Sequence, residues 1–444
     1  MAIFGVIFGV WVVTTWSAHH HVQKSPGSVV GDGLRQESNS VDANLNGNTP
    51  TGVSLGTIKG ASSGTASEEQ QQQPDEPSET VIKTSPQDND VIPSVAAAVG
   101  ESSDTGSAVS STLPDIRYPP LKDVVQPLED IPWTVPSDVP NNVRWNVTSD
   151  VSYLLNFSIA GFPKCGTSTM MEYLEKSPYT KVSQKERCEL GTDRQAKLVR
   201  TFYEEIPEGP YIRGLKCPRD LENRFAMEKY QKYFPNTRFL VGMRHPIDWF
   251  QSFYNFRVYN DNPMPKPSNL VGSCSKYSRN VCTHRARFHV YLASFGKTPI
   301  SDDELKYFPM DGTTLRTKGT NSKVFLYHVE QLKDEDPERQ LQLRKDLTTF
   351  IGLPELLPPL DVWAKPGKNL TDEQLDNAHS KRLDICDTQH DHIRQHLINQ
   401  GRDAAEWILR FFLQSNDVFV SSPEFFRELA LAWESDPCDK QITP

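Results

Sequence analysis

Residues 154–178 read LLNFSIAGFPKCGTSTMMEYLEKSP: an apolar strand, a glycine-bearing turn and an amphipathic helix. That succession aims backbone N–H groups and the positive end of a helix dipole at an anion, so the chemistry on offer is capture of a phosphate-like group. Gly161-Phe-Pro-Lys-Cys-Gly166-Thr-Ser has the GxxxxG spacing of a nucleoside-triphosphate loop. Thr167 stands where that loop carries its lysine, and a lysine appears inside the turn as Lys164. Pro163 stiffens the turn, Gly166 lets the backbone approach a ligand closely, and Thr167, Ser168 and Thr169 add hydroxyl donors. No second acidic motif of the Mg²⁺-holding kind pairs with the loop.

These residues resemble a known family. Pro163-Lys164-Cys165-Gly166-Thr167-Ser168-Thr169 is similar to the 5′-phosphosulfate loop of sulfotransferases that use 3′-phosphoadenosine 5′-phosphosulfate (PAPS), with Ser168 in place of the usual threonine. After the strand-like TRFLVGM, Arg244 and Ser252 hold the family's spacing for the 3′-phosphate site, an arginine at a strand end and a serine eight residues later. Arginine offers a phosphate a planar fork of donors. Lys185-Glu186 resembles the Lys-Glu pair of the Golgi-type, heparan-sulfate-like carbohydrate branch, in which the glutamate is the general base; Arg187-Cys188 departs from the Pro-His that follows it there. Gly214-Leu-Lys216-Cys-Pro218 resembles an element lining the acceptor site, and Lys365-Pro-Gly367-Lys368 is the counterpart of a loop closing on the adenosine 3′-phosphate.

The resemblance is clear over residues 150 to 260. It implies in-line sulfuryl transfer from PAPS to a carbohydrate hydroxyl, with Glu186 as base and Lys164 on the leaving phosphate. It implies Lys185 and Lys216 on the acceptor side, and no metal. Two rivals stand beside it: a P-loop nucleotide kinase or NTPase, and a non-catalytic, glycan-binding membrane glycoprotein.

The elements that must position these residues follow from periodicity. Strand-like runs fall at 153–160, 211–217, 237–243 and 323–328. Helical periods fall at 167–176, 194–205, 221–233, 247–259, 285–295, 337–351, 391–414 and 423–433. Their alternation predicts a P-loop-type α/β domain of three layers, a central parallel sheet flanked by helices.

The 444 residues are not uniform. From Ser17 to Arg117 there is no aromatic residue, Cys or Met, whereas 39 of the 43 aromatics follow Arg117. Residues 1–115 hold four basic and thirteen acidic side chains, so nearly all of the net charge of −10 lies there and the remainder is almost neutral. The chain lacks the basic footprint of a nucleic-acid binder. Ala2–Ala18 is apolar and uncharged, which predicts a signal-anchor or signal peptide over 1–22. Residues 23–117, rich in Ser, Gly, Gln and Pro, read as a disordered acidic stem, and 118–444 as the sulfotransferase-like domain. His19–His21 read as solvated rather than as a metal site.

The expected arrangement is a single-pass type II Golgi membrane protein with a lumenal domain, the alternative being secretion. Sequons at Asn146, Asn156 and Asn369 suit a lumenal protein, with Asn156 inside a strand and left unmodified. Cys274 with Cys282, and Cys386 with Cys438, are expected as disulfides, and Cys165, Cys188 and Cys217 as free thiols.

Overall fold

The computed structural model describes residues 112–128, 145–260, 263–298, 301–308, 321–360 and 380–439. The apolar N-terminal segment, His19–His21, most of the predicted stem, the Asn369 sequon, and Lys365, Gly367 and Lys368 lie outside them. Among the described residues no helix is long and apolar enough to cross a membrane.

A short helix α1 (Leu121–Val124) leads into β1 (Val125–Pro127), which pairs antiparallel with β2 (Trp145–Val147). The main sheet has six strands: β3 (Phe157–Ile159), β4 (Thr180–Val182), β5 (Ile212–Lys216), β6 (Arg238–Met243), β7 (Val324–His328) and β8 (Val418–Val420). Their order is β4-β5-β3-β6-β7-β8 and every pairing is parallel. The helices are α2 (Thr167–Glu175), α3 (Gln195–Glu205), α4 (Arg224–Tyr233), α5 (Pro246–Tyr259), α6 (Phe288–Leu292), α7 (Asp302–Leu305), α8 (Pro337–Ile351), α9 (Asp391–Arg410) and α10 (Pro423–Leu431).

Alternation along the strands builds the three predicted layers. Phe157, Ile159, Ile212, Leu240 and Tyr327 pack with Met170, Tyr173 and Leu174 of α2 and with Leu343 and Leu347 of α8. The opposite parity, including Leu215, Phe239, Val241 and Leu326, packs with α3, α4, α5, α6, α9 and α10. Strands buried on both faces read as near-continuous apolar runs, which is why β6 and β7 were conspicuous in the sequence. Period two also puts Lys216 on the α2 side of β5 and Cys217 on the other.

The structure adds four strands to the four expected: the β1–β2 pair outside the main sheet, and β4 and β8, each three residues at an edge of the main sheet. The helix expected over 285–295 is instead two 3₁₀ turns around the five-residue α6. Buried partners hold those pieces apart: Arg285 pairs with Glu222, and His289 Nε2 meets the Tyr307 carbonyl.

At the carboxyl ends of the strands the order reverses about β3, with β4 and β5 to one side and β6, β7 and β8 to the other. In open α/β sheets the crevice at such a reversal is where ligands bind.

Candidate active site

The phosphate loop occupies this crevice, running from the end of β3 into α2. Gly166, the residue before α2, has φ 76° and its carbonyl accepts from Met170 N at 2.9 Å. A Cβ there would lie 2.8 Å from Leu332 Cδ1, so both the left-handed backbone and the space call for glycine. Lys164 is left-handed too, at φ 69°, where a non-glycine residue stores strain of about 1 kcal/mol or more. The turn is held from below: a Cβ on Gly242 of β6 would overlap the Cys165 carbonyl and the Tyr327 ring. Cys165 itself points into the core, where burial pushes its thiol pKa well up.

The loop is also held from the side. Trp249 Nε1–H on α5 donates to the Pro163 carbonyl at 2.8 Å. The Lys164 ammonium lies 4.3 Å from the centre of the Phe256 ring, also on α5. This helix carries the second motif. His245 caps it, its ring accepting from Ile247 N at 3.3 Å, and Pro246 takes the first helical position. Arg244, immediately before the cap, and Ser252, two turns into the helix, face the same cavity as the loop. Arg244 Nε is buried with no hydrogen-bond partner among the described residues, a state that suits an arginine shaped to receive an anion. Beneath it His328 is pushed down to about 3, first by burial and then by His245 and Arg244.

Glu186 and Lys216 meet opposite the loop. Lys216 Nζ sits 2.9 Å from Glu186 Oε1 and donates to Ser168 Oγ at 3.0 Å, which joins the Lys-Glu motif to the first turn of α2. The lysine side chain is 7% exposed and the glutamate 53%, so the carboxylate stands at the mouth with its partner behind it. Cys188 and Cys217 are not free: they form a disulfide directly behind this pair. The expected thiols are corrected because β4 and β5 lie side by side, bringing together residues 29 apart in sequence. Cys274–Cys282 and Cys386–Cys438 are bonded as expected, and Cys165 remains a buried thiol.

One cavity of about 1110 Å³ is lined by Pro163, Lys164, Gly166, Thr167, Ser168 and Thr169, and by Glu186, Lys216, Arg244 and Ser252. Lys185 is exposed and is not part of this lining. The sequence reading missed a wall formed by Arg219, Arg257 and the Arg285–Glu222 ion pair, cationic on balance. Burial lowers the Arg257 pKa, and the neighbouring charges of Arg285, Arg219 and Arg279 lower it further. It also missed Asn255, Phe256 and Tyr259, which a helical reading from Ser252 finds at three, four and seven residues on.

No protein-family model and no curated protein matches this chain. Among solved structures, it is similar to a sulfotransferase from Alicyclobacillus acidocaldarius, at 15% identity and a TM-score of 0.37 over 58% of this chain and 96% of that one. It is also similar to mouse sulfotransferase SULT7A1 complexed with PAP, at 17% identity and a TM-score of 0.20 over 51% of this chain and 64% of that one. Likenesses this loose bear no weight for function, which rests on the cavity's own residues.

Proposed function

We propose that this chain transfers a sulfuryl group from PAPS to a hydroxyl of a carbohydrate acceptor, in the lumen of the secretory pathway and tethered to the Golgi membrane by its N-terminal segment. The observation carrying this reading is the convergence of three motifs, separate in sequence, on one cavity: the phosphate loop, the Arg244/Ser252 pair and the Glu186–Lys216 pair. The residues fit the co-substrate. It carries two phosphate groups apart from each other, and the cavity offers two anion-seeking ends, a glycine-cradled turn and an arginine with an orphaned Nε.

When bound, PAPS supplies an activated sulfuryl group. Backbone N–H groups at the start of α2, with Lys164, would hold the 5′-phosphate oxygens and stabilise the charge that grows there. Arg244 and Ser252 would hold the 3′-phosphate. Glu186 would accept the proton of the attacking hydroxyl, with Lys216 orienting the carboxylate toward Ser168 and the loop. The cationic wall and the cavity's volume leave room for a sugar acceptor beside the co-substrate. Three disulfides among the described residues favour an oxidising compartment.

The test is transfer of labelled sulfate from PAPS to a pool of polysaccharides and glycans. Glu186→Ala is expected to lower the rate by a factor of about 10² to 10⁴ while PAP affinity is retained. No thermal shift of the parent chain with PAP would refute the reading. Mg²⁺-dependent ATP turnover would favour the kinase alternative, and glycan binding without transfer the binding-protein alternative.

A further inference from the structure

We infer that Cys188 and Cys217 are positioning residues for the proton-accepting carboxylate, their disulfide fixing Glu186 against Lys216. The inference rests on the reading of Glu186 proposed above. Cys188 lies two residues after Glu186, and Cys217 directly follows Lys216. The chain from Glu186 to Cys188, the S–S bond, Cys217, Lys216 and the 2.9 Å ion pair together close a small ring. Every link of that ring is covalent except the ion pair.

Little else fixes Glu186. Residues 184–186 are exposed and, among the described residues, make no backbone hydrogen bond. The nearest backbone anchors are Ser183 N to the Gly214 carbonyl at 3.2 Å and Arg187 N to the Lys216 carbonyl at 3.0 Å. Arg187 turns away from the cavity, its Nε donating to Ser183 Oγ at 2.7 Å and its guanidinium pairing with Glu205. With the glutamate half exposed, the ion pair by itself holds that carboxylate weakly. The disulfide supplies the missing constraint, and it does so on the far face of β5, where it leaves the cavity open. Catalytic groups displaced by about 1 Å lose on the order of 10² in rate, so a constraint of this kind bears on turnover.

The experiment compares the full chain with its Cys188→Ala/Cys217→Ala variant. A Cys386→Ala/Cys438→Ala variant removes a different disulfide as the control for lost stability. The readouts are Tm by scanning calorimetry, PAP affinity by titration calorimetry, kcat and KM for labelled-sulfate transfer to a pool of chemically desulfated polysaccharides, and amide exchange with PAP bound. The expected result for the first variant is PAP affinity within twofold of the parent, a kcat lowered by about 10- to 100-fold, and faster exchange confined to residues 183–188. An unchanged kcat overturns the proposal. So does a fall in kcat that both variants share in proportion to their lost thermal stability. A parent chain that neither binds PAP nor transfers sulfate overturns the functional reading and this inference with it. A parent that does both while the first variant keeps its kcat overturns the positioning role alone.

Discussion

Replacing Arg244 with Met should make the free protein more stable and the PAP complex weaker. Arg244 Nε is buried without a hydrogen-bond partner among the described residues. An unsatisfied buried donor costs about 1–3 kcal/mol, and because Arg244 as a residue is only partly buried this one is taken at the lower end, about 1 kcal/mol. Methionine fills similar length with no N–H to satisfy, so the free domain should gain roughly that amount, about 2 °C in Tm for a domain of this size. The ligand side has the opposite sign. Hydrogen bonds to charged groups contribute about 1.5–3 kcal/mol, so PAP should bind about 10- to 150-fold more weakly. Arg244→Lys should fall between, keeping the charge but losing the fork. Scanning calorimetry of the free chain and titration calorimetry with PAP read the two effects separately. A lower Tm in the free variant together with PAP affinity within twofold of the parent would refute the reasoning, because Arg244 would then be a structural residue.

Three further outcomes are expected. Trp249→Phe keeps the ring packed against Phe253 and Phe288 but loses the Nε1–H bond to Pro163; at about 1 kcal/mol, PAP affinity should fall about fivefold in calorimetry with kcat little changed. Gly166→Ala forces a Cβ onto Leu332 in a left-handed turn, and should lower both Tm and PAP affinity, read by thermal shift with and without PAP. Burial lifts the Asp220 carboxyl to about 7, against an ordinary value of 3.8 that returns on unfolding. Between those values the folded chain holds a proton that the unfolded chain releases, so stability falls as pH rises from about 4 to about 7 and levels off above. Asp220→Asn should flatten that part of the Tm-against-pH curve; an unaltered slope assigns it to another group.

What the sequence made legible was whatever is contiguous. The phosphate loop and α5 each carry strand end, cap and site residues within about a dozen positions, so local spacing, read with the family resemblance, picked out Lys164, Gly166, Arg244 and Ser252. Lys216 was noticed, but its position between Ser168 and Glu186 depends on β5 lying beside β3, which nothing in the local pattern states. The Cys188–Cys217 bond was hidden for the same reason, since it follows from β4 pairing with β5. The cationic wall was out of reach too: Arg219 follows β5, Arg257 ends α5 and Arg285 sits in a 3₁₀ turn. β4 and β8 escaped because three residues are too few to show a period.

The strand order has a consequence for how the protein is made. β7 finds its outer neighbour only when Val418–Val420 arrives, and Val324 pairs with Val418, about 90 residues later. At a synthesis rate of about 5–20 residues per second, the growing chain holds β6 and β7 for about 5–20 s with the rim of β7 unpaired. An open strand rim invites pairing with other chains. Fragments ending before Val418 should therefore aggregate, even though they contain the phosphate loop, Glu186, Lys216, Arg244 and Ser252.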